Sequence, residues 1–195
     1  MDITSYLLGK NSSGGGGGIT GKIAPTALKF VYSTSTIVPD ILSQFIDASN
    51  IEIFETMFYQ NTSITELDLS SWSNSKGVSA KQMFYQCSQL ETLNMSSNLT
   101  STKTSFQQAF YDCTKLENIS YFSLASATNF SNMFGGCGQL TNQSLDNILK
   151  MCISATNYTG TKTLYACGIR SYAASRIQAL PHYQDFIDAG WTIGY

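Results

Sequence analysis

The dipeptide Met-Phe returns along this chain at a nearly constant interval, as Met57-Phe58, Met83-Phe84, Ala109-Phe110 and Met133-Phe134, at steps of 26, 26 and 24 residues. Each occurrence keeps the same company. An apolar residue precedes it (Phe54, Ala80, Phe106, Phe130), Asn or Cys follows it (Asn61, Cys87, Cys113, Cys137), and an Ile or Leu comes three residues later (Ile64, Leu90, Leu116, Leu140). A period of this size marks a fold made by stacking equal units, because one short unit cannot bury its apolar face until a neighbour covers it. A chain of this kind works through surface, so the functional question is what that surface touches.

Two periodicities share each unit. Around the Met-Phe pair, Phe54, Met57 and Phe58 are spaced i, i+3, i+4, as are Phe106, Ala109 and Phe110, and this predicts one buried face of a short helix. Downstream, Ile64-x-x-Leu67-x-Leu69, Leu90-x-x-Leu93-x-Met95 and Leu116-x-x-Ile119-x-Tyr121 read as the strand segment of a leucine-rich repeat, L-x-x-L-x-L. Strands at the same phase in successive units must lie side by side. The expected fold is therefore α/β: a leucine-rich-repeat solenoid of about four coils, with a parallel ladder of short strands, short helices opposite, and a cap at each end. Residues alternating with the buried ones project from the ladder, which makes Glu66, Asp68, Glu91, Asn94, Glu117 and Asn118 the candidate ligand face. Glu66, Glu91 and Glu117 are expected to form an acidic column there. Asn61, Cys87, Cys113 and Cys137 form a structural ladder inside the turns, where a cross-link is not needed. Cys152 and Cys167 lie outside that ladder, and sequence leaves their pairing open.

The segments divide as 1–18, an apolar peptide with a Gly-rich tether; 19–52, an N-terminal cap; 53–140, the repeats; and 141–195, a C-terminal cap. In the first segment Ile3, Tyr6, Leu7 and Leu8 precede the glycine run at 14–18, whose lack of side chains makes a flexible tether. The arrangement suits an anchor. The entry cap is expected to hold a strand at 27–32 and a helix at 39–46 begun by Pro39. In the exit cap a helix at 144–152 with Ser144 as N-cap, a strand near 162–166, a helix near 172–180 stopped by Pro181, and a closing segment at 191–193 are expected.

Charged residues make up only 12% of the chain and the net charge is −2, whereas soluble proteins average about 25% charged. No Lys/Arg cluster could neutralise several phosphates, so nucleic acid is not an expected partner. There is no basic segment followed by about 7–15 apolar residues and a cleavage site, and no run of about 20 apolar residues, so neither export nor membrane insertion is expected. The single histidine, His182, has no partner cluster at metal spacing. No Gly-x-Ser-x-Gly elbow or Walker loop occurs either. No catalytic residue, metal or cofactor is therefore assigned.

The stretch Met83-Phe84-Tyr85-Gln86-Cys87-Ser88-Gln89-Leu90-Glu91-Thr92-Leu93 resembles the BspA-type leucine-rich repeats of bacterial surface proteins, over about residues 50–140. The opening Met1-Asp2-Ile3-Thr4-Ser5-Tyr6-Leu7-Leu8-Gly9-Lys10 before its glycine run, and the ending Ala189-Gly190-Trp191-Thr192-Ile193-Gly194-Tyr195, look like those of phage proteins of gut Firmicutes. The resemblance implies a non-enzymatic virion accessory protein, a tail or head fibre or decoration. Ile3, Tyr6, Leu7 and Leu8 would hold it to other virion proteins while the repeats meet a host surface protein or glycan. Purely structural cement of capsid or tail is the alternative, and a bacterial surface adhesin a further one.

Overall fold

A computed structural model describes residues 48–194 except 74, 75, 77 and 101. The anchor peptide, the tether and the expected strand at 27–32 and helix at 39–46 lie outside the described residues. The described elements are a 3-10 turn at Ala48–Asn50, β1 (Glu66–Leu69), β2 (Thr92–Met95), α1 (Ser97–Thr100), β3 (Asn118–Ile119), α2 (Asn142–Ser154), α3 (Ala174–Gln178) and α4 (Tyr183–Asp188). One hydrophobic core runs from Ala48 to Ile193.

The three strands form a parallel sheet in the order β1-β2-β3. Their alternation explains this. Leu67, Leu69, Leu93, Met95 and Ile119 turn inward and are buried, while Glu66, Asp68, Asn94 and Asn118 turn outward. Parallel bridges at Ser79, Ser105 and Asn129 make a second line of contact between the same units.

The Met-Phe segments are not helices. Residues 55–60, 81–86, 107–112 and 131–136 are successive turns, and alternate N–H groups have different destinations. Met57, Tyr59 and Asn61 N–H close turns within their unit onto Phe54, Thr56 and Phe58. Thr56, Phe58 and Gln60 N–H instead donate to Lys81, Met83 and Tyr85 of the next unit, at 3.1, 2.8 and 2.7 Å. The same alternation recurs from the second unit to the third and from the third to the fourth. A helix would keep every N–H for its own chain segment. The positive φ values of Thr56 (56°), Gln60 (53°), Gln82 (53°) and Gln86 (56°) also exclude a right-handed helix. The i, i+3, i+4 apolar spacing fits both structures, and the ladder bonds offset the cost of the left-handed residues.

Inside the turns Phe58, Phe84, Phe110 and Phe134 stack in a column, with ring centroids 4.8, 5.5 and 5.1 Å apart and planes within 14°. In the third unit alone the L-x-x-L-x-L reading fails at its last residue: Tyr121 is exposed and Phe122 is buried in its place, whereas Leu69 and Met95 are buried in the first two. Where β3 ends, the Ser120 hydroxyl receives the N–H of Met95 at 2.9 Å, while the Ser120 N–H still donates to the Leu93 carbonyl at 3.1 Å.

After the fourth Met-Phe, α2 takes the position of a further strand. Its N-cap is Thr141, whose hydroxyl accepts the N–H of Ser144, so the helix begins before the expected Ser144 cap. Ser144 is released for another task. Its buried hydroxyl donates to the Glu117 carbonyl (2.7 Å) and accepts from the Ile119 N–H (3.0 Å), while the Asn147 amide donates to the Ile119 carbonyl (2.9 Å). Helix side chains thus satisfy the open edge of β3.

The exit region departs from expectation in three places. The expected strand near 162–166 is a single parallel bridge, Thr163 with Thr192, followed by a fifth turn at 164–168. That turn accepts the N–H groups of Asn132 and Phe134 on Ala166 and Cys167. The helix expected near 172–180 is only Ala174–Gln178, and a second one, Tyr183–Asp188, follows Pro181. Trp191 packs with Tyr158, Phe130 and Phe186 over the end of the stack. Among the described residues no helix is long and apolar enough to cross a membrane.

Candidate binding surfaces

On the strand face Glu66, Asp68, Glu91, Asn94, Glu117 and Asn118 are all exposed, as expected. The expected acidic column of Glu66, Glu91 and Glu117 is present in part. The sheet register sets Glu66 beside Thr92 and Asn118, and Asp68 beside Asn94. Glu91 and Glu117 fall one residue earlier, in line with Thr65, as the bonds from Glu91 N–H to the Thr65 carbonyl (2.7 Å) and from Glu117 N–H to the Glu91 carbonyl (3.0 Å) show. Glu66 is thus offset by one residue from Glu91 and Glu117, which share a register on neighbouring units. Asp68 accepts from the Ser70 N–H at 2.8 Å, and Asn118 accepts from the Thr141 hydroxyl at 3.4 Å. Among the described residues no three or more His, Cys, Asp or Glu side chains gather as a metal site would require.

A second repeated face lies on the turns. Tyr59, Tyr85 and Tyr111 stack with centroids 5.0 and 5.3 Å apart and planes within 9°. Beside them the Gln60 amide donates to Gln86 (2.6 Å), Gln86 donates to Asp112 (3.4 Å), and Gln82 donates to Gln108 (3.0 Å). The row ends at two glycines. A Cβ at Gly135 would come within 2.8 Å of the Tyr111 ring, and one at Gly136, where φ is +81°, would strike the Asp112 carboxylate. The Tyr85 phenol is pushed above its ordinary value by partial burial first, then by Tyr59, Asp112 and Tyr111. Tyr85 is stacked on both sides, so the ring faces that would stack on a sugar are spent on neighbouring tyrosines. The sequence carried the signal, because Tyr-Gln, Tyr-Gln and Tyr-Asp follow the first three Met-Phe positions, but the apolar pattern drew the reading inward.

The Asn/Cys ladder occupies one buried position in each unit. Cys87, Cys113 and Cys137 thiols donate to the carbonyls of Phe58, Phe84 and Phe110 in the preceding unit, at 3.0, 3.1 and 3.1 Å. The Asn61 side-chain oxygen accepts from Ser63 and Ile64 N–H inside its own turn. Burial pushes the Cys137 thiol up to about 12 and the Cys113 thiol well above its usual range, so neither is a nucleophile at neutral pH.

Two polar groups escaped the sequence reading. His182 Nδ1 lies 2.8 Å from Asp146 Oδ2, and Asp146 Oδ1 accepts the His182 N–H at 3.0 Å, which clasps the start of α4 to buried Asp146 on α2. Lys103 is 1% exposed, its Nζ is 4.3 Å from the Phe54 ring centre, and burial lowers its amine to about 8.

Residues 26–148 match the family described as Mycoplasma protein of unknown function, DUF285. Neither the curated proteins nor the solved structures give a match.

Proposed function

The chain belongs to that DUF285 family, and we propose that it is a non-catalytic binding and display module, a short capped leucine-rich-repeat solenoid carried on a phage particle. The observation that carries this reading is the repetition of side chains at one register over about 26 residues, as in the 26-residue separations of Gln60–Gln86 and Gln82–Gln108. Repetition of that kind builds an extended surface, not a converging pocket. Of the two repeated faces, the strand face is the better ligand surface: Glu66, Asp68, Glu91, Asn94, Glu117 and Asn118 point to solvent, while the turn face spends its groups on itself. A host surface protein or glycan is the proposed ligand. Ile3, Tyr6, Leu7 and Leu8 are the proposed attachment to other virion proteins.

The experiment is deletion of residues 1–18 followed by particle purification and mass spectrometry. The truncated protein is expected to fold and stay soluble but to be missing from particles. Full occupancy by the truncated protein would overturn the attachment scheme. The architectural alternative, capsid or tail cement, is favoured by one observation: the amide and tyrosine rows on the turn face are bonded laterally, as in a stiffening element. One copy per major subunit would support cement, and a handful per particle a fibre tip.

A further inference from the structure

Two of the five cysteines stand outside the repeat ladder. Cys152, on α2, and Cys167, in the fifth turn, are 15 residues apart in sequence, both are 0% exposed, and their sulfurs are 3.8 Å from one another. The ladder cysteines each hold a Phe carbonyl of the preceding unit, whereas Cys167 has only a long contact to the Thr163 carbonyl, at 3.6 Å. Bonded sulfurs stand about 2.05 Å apart, so closure needs an approach of roughly 1.8 Å.

We propose that Cys152 and Cys167 are a redox modification site, a latent disulfide that staples α2 to the last turn of the stack. The oxidant is a low-molecular-weight disulfide, RSSR. One cysteine thiolate attacks RSSR, forming a mixed disulfide and releasing a thiolate. The second cysteine thiolate then attacks the protein-bound sulfur and releases the other. Two protein thiols lose two protons and two electrons, and RSSR becomes two RSH. Burial raises the pKa of the Cys152 thiol well above its ordinary range, so little thiolate forms, exchange is slow in the closed fold and it proceeds when the exit region opens. The staple joins the segments whose separation exposes the end of the aromatic core.

The test uses the full chain, purified under reductant and then equilibrated with oxidised glutathione, with and without urea below the unfolding midpoint. Peptide mapping without reduction is expected to recover one linked pair, Cys152 with Cys167. Two fewer titratable thiols and a melting temperature higher by about 5–10 °C, reversed by reductant, should accompany it. A Cys167→Ser variant should lose both the link and the rise. The wild-type readouts decide the matter even if that variant folds poorly. No Cys152–Cys167 link after equilibration in urea would overturn the proposal. A linked protein that melts no higher than the reduced one, or a link formed among Cys87, Cys113 and Cys137 instead, would overturn it equally.

Discussion

Phe84 carries more of the stack than any charged group on it. Its ring is fully buried between Phe58 and Phe110, so Phe84→Ala deletes a buried aromatic from both interfaces at once. The expected loss is about 3–5 kcal/mol in denaturant unfolding. Cys113→Asn tests the shared ladder position. The amide has a donor for the Phe84 carbonyl that Cys113 now serves and an oxygen for the turn bonds that Asn61 makes, so unfolding should detect a loss near 1 kcal/mol or less. Lys103 supplies a pH dependence whose sign is fixed by its depressed amine. Below about pH 8 the amine is charged in both folded and unfolded chains, and the full cost of burying it is present. Between that pH and the ordinary lysine value of about 10.4 the folded chain binds fewer protons, so stability from this group rises with pH. Thermal melts should show wild type gaining stability relative to Lys103→Met between about pH 8 and pH 10.5. The residue scale was the most legible in sequence for buried positions, since Phe54, Met57, Phe58, Leu67 and Leu69 follow simple spacings. Asp146 and His182 were not, because no local pattern links residues 36 apart.

Among the elements, the strands were readable and the turns were not, for a physical reason. Period-two alternation is specific to an extended chain, so β1 and β2 lie where the leucines put them. The i, i+3, i+4 spacing of Phe54, Met57 and Phe58 is met equally by a helix and by turns with a left-handed residue at each end. Thr, Gln and Asp occupy those left-handed positions in the first three units, so no glycine announces them. The sheet edge adds a second case: Ser144 looks like a helix cap in sequence, yet its hydroxyl bonds the backbone of β3. Ser144→Ala should leave the Glu117 carbonyl and Ile119 N–H without that hydroxyl at a buried edge, and cost about 1–3 kcal/mol in equilibrium unfolding. Ser144→Thr, which keeps the hydroxyl, should recover part of the loss. An alanine variant as stable as wild type would mean that β3 needs no such closure.

Over the whole molecule, the match of each unit to the next has a consequence for length. The side that Phe58, Tyr59, Gln60 and its N–H present to the second unit is the side that Phe84, Tyr85 and Gln86 present to the third. Excising residues 81–106 would join Ala80 to Gln107 and bring Phe58 onto Phe110, Tyr59 onto Tyr111 and the Cys113 thiol onto the Phe58 carbonyl. The shortened chain is expected to fold cooperatively, with a smaller denaturant m-value in proportion to the surface removed. Excising 13 residues instead should abolish folding, because half a period sets turns against strands. A gene that duplicates or loses one such segment therefore changes the protein's reach in whole steps without redesigning either end.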